Sequence, residues 1–289
     1  MPAAVDLSLE LDQISCRFAS RDDPGKPYLA VSQASLAVRE GEFVSIVGPT
    51  GCGKSTLLNV AAGLLAPSEG SVRVHGKPLA GINRDAGYMF QADALMPWRS
   101  AIDNVTAGLE FRGVPASQAQ AQGHQWLQRV GLGGFAQRYP HQLSGGMRKR
   151  VALAQMLVLN PEILLMDEPF SALDIQTRLL MENELLAIWS SSAAALGGPG
   201  KGAQRKSVIF ITHDLEEAIS LSDRVVVLSA GPATRPIGEF AIDLPRPRDV
   251  AEVRLTPRFV ELHQLIWHAM KDEVMKAYSK QFKPIELGA

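Results

Sequence analysis

Residues 48–56 read Gly-Pro-Thr-Gly-Cys-Gly-Lys-Ser-Thr, and the apolar run Phe43–Val47 leads directly into them. The spacing G-x-x-x-x-G-K-S bares consecutive backbone N–H groups that can wrap a chain of phosphates. A helix opening at Lys-Ser adds its positive N-terminal end. In that arrangement Gly48, Pro49, Thr50, Gly51, Cys52 and Gly53 form the cradle and Lys54 reaches the outer phosphates. Ser55 holds Mg²⁺ and Thr56 closes the segment. The ligand this chemistry implies is a nucleoside triphosphate. Cys52 has two readings. Its place before a helix N-terminus and beside Lys54 favours a reactive thiolate; a permissive loop position with an inaccessible thiol accounts for it equally well.

A second apolar run, Ile163–Met166, ends in Asp167 and Glu168. At the carboxyl end of a central strand, such a pair sits where open α/β sheets bind ligands. Asp167 suits Mg²⁺, because hard cations take oxygen ligands. Glu168 supplies what hydrolysis needs, a base or an orienter for the attacking water. Ser144 is a good N-cap for a helix to Leu159, and Gly145 and Gly146 bare the backbone of its first turn. That reads either as a capped helix start or as a second anion site. His213 follows the run Val208–Ile211 and precedes Asp214, a cap for the next helix. Gln91 follows Tyr88-Met89-Phe90 in the same way. Neither is informative alone.

The chain has 289 residues, 46% of them apolar, and a net charge of −1. This is enough for a sizeable core and gives no bulk electrostatic case for a polyanion partner. Cys16 and Cys52 are the only cysteines, which excludes a disulfide framework or a multi-cysteine zinc module. The N-terminus carries Asp6 and Glu10 and lacks the apolar core of a secretory signal. No stretch approaches the ~18 to 20 apolar residues of a membrane span. The expectation is a protein that is soluble or reaches a membrane through a partner.

Strands are expected at Leu7–Phe18, Val31–Val38, Phe43–Val47, Val72–Val74, Gly87–Phe90, Ile163–Met166, Val208–Ile211 and Arg224–Leu228. Helical patterns cover Ile102–Phe111, Ser117–Val130, Ser144–Leu159 and Ile175–Trp189, the last with apolar residues at 175, 179, 185, 186 and 189. The reading is an α/β core over residues 1–240 with a helical block, about 92–160, inserted into it. The Gly/Ser/Ala-rich stretch 190–206 reads as a flexible surface loop. An extension, 241–289, carries an amphipathic helix from Pro257 with Phe259, Leu262, Ile266, Ala269 and Met270 on the face that packs onto the core.

Taken in order, these motifs resemble the nucleotide-binding subunit of ABC transporters, over nearly the whole chain. Residues 48–56 look like the Walker A loop and Ile163–Glu168 like Walker B with its catalytic glutamate. Gln91 looks like the Q-loop glutamine, Leu143–Met147 like the ABC signature, Ser171–Asp174 like the D-loop and His213 like the switch histidine. Phe18 falls where the family places an aromatic that stacks on adenine. The resemblance implies a P-loop NTPase core of the ABC ATPase type, with an inserted helical subdomain and an antiparallel β subdomain. Its catalytic residues are Glu168 and His213. ATP is contacted by residues 48–56, Phe18, Gln91, Ser144, Gly145, Gly146 and Asp174, and Mg²⁺ by Ser55, Gln91 and Asp167.

The resemblance also implies partners. Two copies, or this chain and a paralogue, would sandwich ATP between one Walker A loop and the other's signature. They would drive a transmembrane permease from the cytoplasmic face of the inner membrane, served indirectly by a periplasmic or extracellular solute-binding protein. One departure is Met147, where the signature usually carries Gln; the serine and glycines are kept. Leu95-Met-Pro-Trp98, Leu143–Arg150 and Leu244–Asp249 are similar to importers of the nitrate, sulfonate and taurine type, and the solute stays open. A lipid-trafficking ABC ATPase fits the same motifs. An ABC ATPase acting on nucleic acid is the less favoured alternative. Ser55 and Ser144 are too close for its long insertions, and the charge lacks a basic footprint.

Overall fold

A computed structural model describes residues 6–19, 27–190 and 205–281. Its strands are β1 (Leu7–Phe18), β2 (Tyr28–Arg39), β3 (Phe43–Val47), β4 (Glu69–Val74), β5 (Lys77–Pro78), β6 (Ala86–Met89), β7 (Ile163–Asp167), β8 (Ser207–Ile211), β9 (Arg224–Leu228) and β10 (Pro236–Ala241). Its helices are α1 (Lys54–Ala61), α2 (Ala101–Phe111), α3 (Ala116–Arg129), α4 (Gly145–Leu157), α5 (Ile175–Ser190), α6 (Leu215–Leu221), α7 (Val250–Val253) and α8 (Pro257–Gln281). The chain forms two compact units, Met1–Asn83 with Ile211–Ala289, and Arg84–Phe210.

In the first unit, β1 lies between β2 and β4 and is antiparallel to both, giving the order β2-β1-β4-β5. Its register shifts between Leu11 and Ile14, where Gln13 takes a positive φ and its backbone N–H donates to Ser35 Oγ at 3.0 Å. Such a bulge re-aims the strand and breaks strict alternation. Beside this sheet, β3 and β9 run parallel from Val44/Arg224 to Val47/Val227, and β10 is antiparallel to β9. Every residue of β3 is buried, as are Val225–Leu228. A strand covered on both faces reads as a continuous apolar run. The cover includes Leu215, Ala218 and Ile219 of α6, with Phe259, Leu262, Ile266 and Met270 of α8. The extension therefore packs onto the core through the expected face, and it belongs to the same unit as the Gly48–Thr56 loop.

In the second unit, β6 and β7 are parallel, from Ala86/Ile163 to Met89/Met166, in the order β8-β7-β6. Around them stand α2, α3 and α4. Ser100 caps α2, accepting from Asp103 N. Asn104, fully buried, accepts from Met96 N at 2.7 Å and donates to the carbonyls of Met96, Arg99 and Ser100. One side chain thus orders the Leu95–Trp98 segment.

Two expectations need correction. β10 was not expected; Gly238 and its half-exposed pattern hide the strand. Ile175, placed on the apolar face of α5, is 83% exposed, because the first turn of that helix is not covered in this chain. The 190–206 loop falls mostly on residues 191–204, outside the described residues. Its far end is anchored: Lys206 Nζ donates to Asn160 Oδ1 (2.6 Å) and Pro161 O (2.7 Å).

Ile266 is fully buried between α8, α6 and β9. Ile266→Ala should cost about 2–5 kcal/mol through lost transfer energy and a cavity. Urea denaturation checks this; a cost under about 1 kcal/mol, typical of uncovered positions, would mean that α8 is not part of the core.

Candidate nucleotide site

The loop after β3 is set by its backbone. Gly51 (φ 73°) and Gly53 (φ 112°) take conformations that L side chains rarely adopt, and a Cβ on Gly53 would meet Val31 Cγ2 at 3.3 Å. Gly53 is the N-cap of α1, so the free N–H groups of that helix open onto the loop. Thr50 and Gly51 are exposed, whereas Gly48, Pro49 and Cys52 are buried; Ser55 and Thr56 are half-buried in the first turn. Lys54 is 6% exposed, and its Nζ donates to Gly48 O (2.8 Å) and Pro49 O (3.1 Å). Its ammonium is folded back inside the ring of the loop.

Two other parts of the first unit bear on this loop. Thr234, fully buried, donates its hydroxyl to the carbonyl of Cys52, and its N–H donates to Ala30 O at 3.0 Å. No local pattern marks Thr234; its role comes from a contact across most of the chain. Thr212 N donates to Ile46 O (3.3 Å), which brings the following residue, exposed His213, beside the exit of β3. Asp214 caps α6, accepting from the N–H groups of Glu216 and Glu217. Thr212 Oγ1 donates to Glu217 Oε2 at 2.6 Å. Phe18 lies at the end of β1, opposite Tyr28 and 38% exposed.

The second unit carries the carboxylates. Asp167 is 4% exposed at the end of β7. Glu168 is half-buried with φ 46°, a strained backbone for a non-glycine residue. The turn is held by Ser171, whose N–H and Oγ both donate to Glu168 O (3.4 and 3.0 Å). Gln91 Nε2 donates to Glu168 Oε2 at 3.2 Å. Asp167 and Glu168 also lie in the field of buried Lys149. Burial draws that ammonium's pKa down, while Asp93, Asp167 and Glu168 draw it up. In the same way, burial and then the charge of Asp167 push the Tyr88 hydroxyl up.

Ser144 caps α4, accepting from Met147 N at 3.3 Å. A Cβ on Gly145 would make only an ordinary contact with Arg148 Nη2 at 3.8 Å, but one on Gly146 would meet Leu173 Cδ2 at 3.2 Å and Ala172 O at 3.4 Å. Asp174 caps α5 by accepting from Thr177 N (2.9 Å), and hydrogen bonds from Thr177 hold its carboxyl below the usual range. The first unit thus groups the Gly48–Thr56 loop with His213. The second groups Gln91 with Asp167 and Glu168, and packs Gly146 against the Ser171–Asp174 turn.

A family model described as ABC transporter matches residues 31–171. An uncharacterized ABC transporter ATP-binding protein of Methanocaldococcus jannaschii is 46% identical over 254 residues, 88% of either chain. This chain belongs to the ABC transporter ATP-binding proteins. A taurine import ATP-binding protein, TauB, of Rhizobium johnstonii is 41% identical over 271 residues, 91% of this chain and 98% of that one. The dimeric post-hydrolysis state of the ATP-binding cassette MJ0796, bound to ADP and Pi, superposes with a TM-score of 0.70 and 29% identity, over 82% of this chain and all of that one. This ABC protein is an ATPase with the α/β P-loop fold of that class.

The structure decides the open question at Cys52. In this ABC protein the residue is 2% exposed, and burial pushes its thiol pKa up against the lowering pull of Lys54. The reactive-thiolate reading is therefore wrong. Sequence neighbours gave the sign of the Lys54 effect but not the larger desolvation. A maleimide at pH 7 should label Cys52 only after denaturation. Mass spectrometry of the native protein checks this: fast labelling there would show that the loop opens.

Proposed function

We propose that this chain is the ATP-hydrolysing subunit of an ABC importer, working as a pair of copies or with a paralogue on a separate permease. The observation that carries the reading is the held carboxylate. Glu168 sits one residue beyond Asp167 at a strained strand end, with the Gln91 amide on its oxygen. That arrangement belongs to a chain 41% identical to a taurine import ATP-binding protein over 98% of that protein's length. The taurine import homologue supports taurine as the transported solute, and the motif resemblance extends the proposal to other small sulfonates or nitrate. A solute-binding protein outside the membrane would deliver it. No helix among the described residues is long and apolar enough to cross a membrane. In this reading the subunit lies peripherally on the cytoplasmic face of the inner membrane, and the permease supplies the spans.

The chemistry follows from the residues. The backbone N–H groups after Pro49, from Thr50 into the first turn of α1, and the positive end of that helix bind the β- and γ-phosphates. Lys54 exchanges its bonds to Gly48 O and Pro49 O for phosphate oxygens. Glu168 orients a water toward the γ-phosphorus and takes its proton as the bond to the ADP oxygen breaks, while His213 steadies the γ-phosphate. Phe18 stacks on the adenine. The donors proposed for Mg²⁺ are the Ser55 hydroxyl, the Gln91 amide oxygen and buried Asp167. All are oxygens, which fits a hard cation. Bound there, the ion would neutralise charge on the phosphates. Ser144, Gly145 and Gly146 complete the site of the opposite chain, with Asp174 at the junction, as the dimeric neighbour suggests.

Glu168→Gln keeps shape and hydrogen bonding but removes the base. Turnover should fall by about 10² to 10⁴, and ATP should then hold the variant as a dimer in size-exclusion chromatography. Wild-type turnover would remove Glu168 from the mechanism.

Ser144→Arg places a long side chain on the exposed cap of α4 and should inactivate the homodimer. Mixed with an equally inactive Lys54→Ala chain, it should regain activity, because both defects then fall in one site and the other is intact. Two inactive variants that stay inactive when mixed would count against the shared site.

A further inference from the structure

Lys149 lies in the second turn of α4 and is 4% exposed. Its ammonium donates to the carbonyls of Gln91 and Phe90, the latter at 3.3 Å, and stands 4.0 Å from Asp93. Arg148 pairs with the other oxygen of Asp93 at 2.8 Å and donates to Leu143 O at 2.9 Å. Residues 90–93 are thus hung on the first two turns of the helix that Ser144 caps. The proposed chemistry uses none of these bonds. Burying an ammonium costs several kcal/mol unless carbonyls and opposite charges compensate it, so a side chain placed here needs a reason beyond filling space.

We propose that Lys149 is a positioning residue: it fixes the Gln91 loop to the start of α4, so that the Gln91 amide bears on Glu168 in register with Ser144–Gly146. The link has three steps. Lys149 holds the backbone of Gln91, the side chain of Gln91 holds Glu168 at 3.2 Å, and Arg148 ties the same loop to the entry of α4. A change in what Glu168 bonds to, such as an arriving water, frees the Gln91 amide. The strain passes to the helix end that is offered to the opposite chain. The proposal rests on the roles of Glu168 and Gln91 given above and adds the tether that connects them to α4.

The test is a double-mutant cycle on ATP turnover, with melting temperature measured in parallel. Lys149→Met keeps the apolar stem and removes the ammonium. It should lower kcat about tenfold, the scale of a small misplacement of catalytic groups, and leave KM for ATP within about twofold. In a Gln91→Ala background the same change should cost kcat less than about twofold, because the side chain through which Lys149 acts is gone. Equal losses in both backgrounds, or a lowered melting temperature with full kcat, would overturn the proposal and leave Lys149 as a packing residue. If Lys149→Met does not fold, Lys149→Gln, which keeps a donor without the charge, enters the same cycle. A Gln91→Ala variant with full kcat would instead remove the reading of Gln91, and the tether with it.

Discussion

The ammonium of Lys54 is almost entirely withdrawn from water, and the hydrogen bonds it makes go to two carbonyls of its own loop. A cation held against backbone carbonyls exchanges them for the charged oxygens of a polyanion, which make the stronger hydrogen bonds, so a polyanion entering the loop meets a charge already placed for it. The rest of the first unit serves to keep that arrangement. The fully buried β3 fixes where the loop begins, and Gly53 with its positive φ fixes where α1 begins. Thr234 holds the carbonyl of Cys52 from behind. A loop held at three points can present its N–H groups without reorganising, which is where electrostatic binding draws its strength.

In the second unit the constraint has the opposite sign. Asp167 and Glu168 stand together at one strand end, and like charges so placed disfavour each other. Lys149 lies buried in their neighbourhood and supplies positive charge without a direct bond to either, while Gln91 offers a neutral donor to Glu168. Glu168 keeps a strained backbone, held by Ser171, and strain of that kind persists only where the surroundings over-determine it.

What could be read from the sequence divides along the same physical line. The buried parallel strands were legible because one cause, burial on both faces, sets the residue type at every position: the apolar runs Phe43–Val47 and Arg224–Leu228 coincide with β3 and β9. Helix starts at Ser144, Asp214 and Pro257 were legible because caps act over two or three residues. The motif residues were legible as types and spacings. Effects with a long reach were not. Cys52 stayed open between two readings because the desolvation that decides it is not legible from its sequence neighbours. Thr234 carries no motif, and the Leu143–Arg150 run that contains Lys149 does not mark what its ammonium holds, since each acts through a carbonyl of another segment. Ile175 is apolar and yet 83% exposed, and periodicity cannot tell a residue facing the core from one facing solvent.

The Pro-Arg segment after β10 shows how far such long-range order extends. Arg248 is 9% exposed and donates to the carbonyls of Ile219, Ser220 and Ser222 at the end of α6, and to those of Ile242 and Leu244. Burial and the nearby Arg246 draw its pKa down to about 10, which still leaves it charged at neutral pH. Arg246 bonds Asp223 and Leu221 O, and Arg254 bonds Ser220 Oγ. Three arginines therefore collar the C-terminal end of α6, where the helix dipole favours positive charge, while Asp214, Glu216 and Glu217 stand at its N-terminal end, where negative charge is favoured. His213 precedes that N-cap directly. The extension is thus more than a helix resting on a finished domain, because the carbonyls it satisfies belong to the element that sets the direction in which His213 leaves β8.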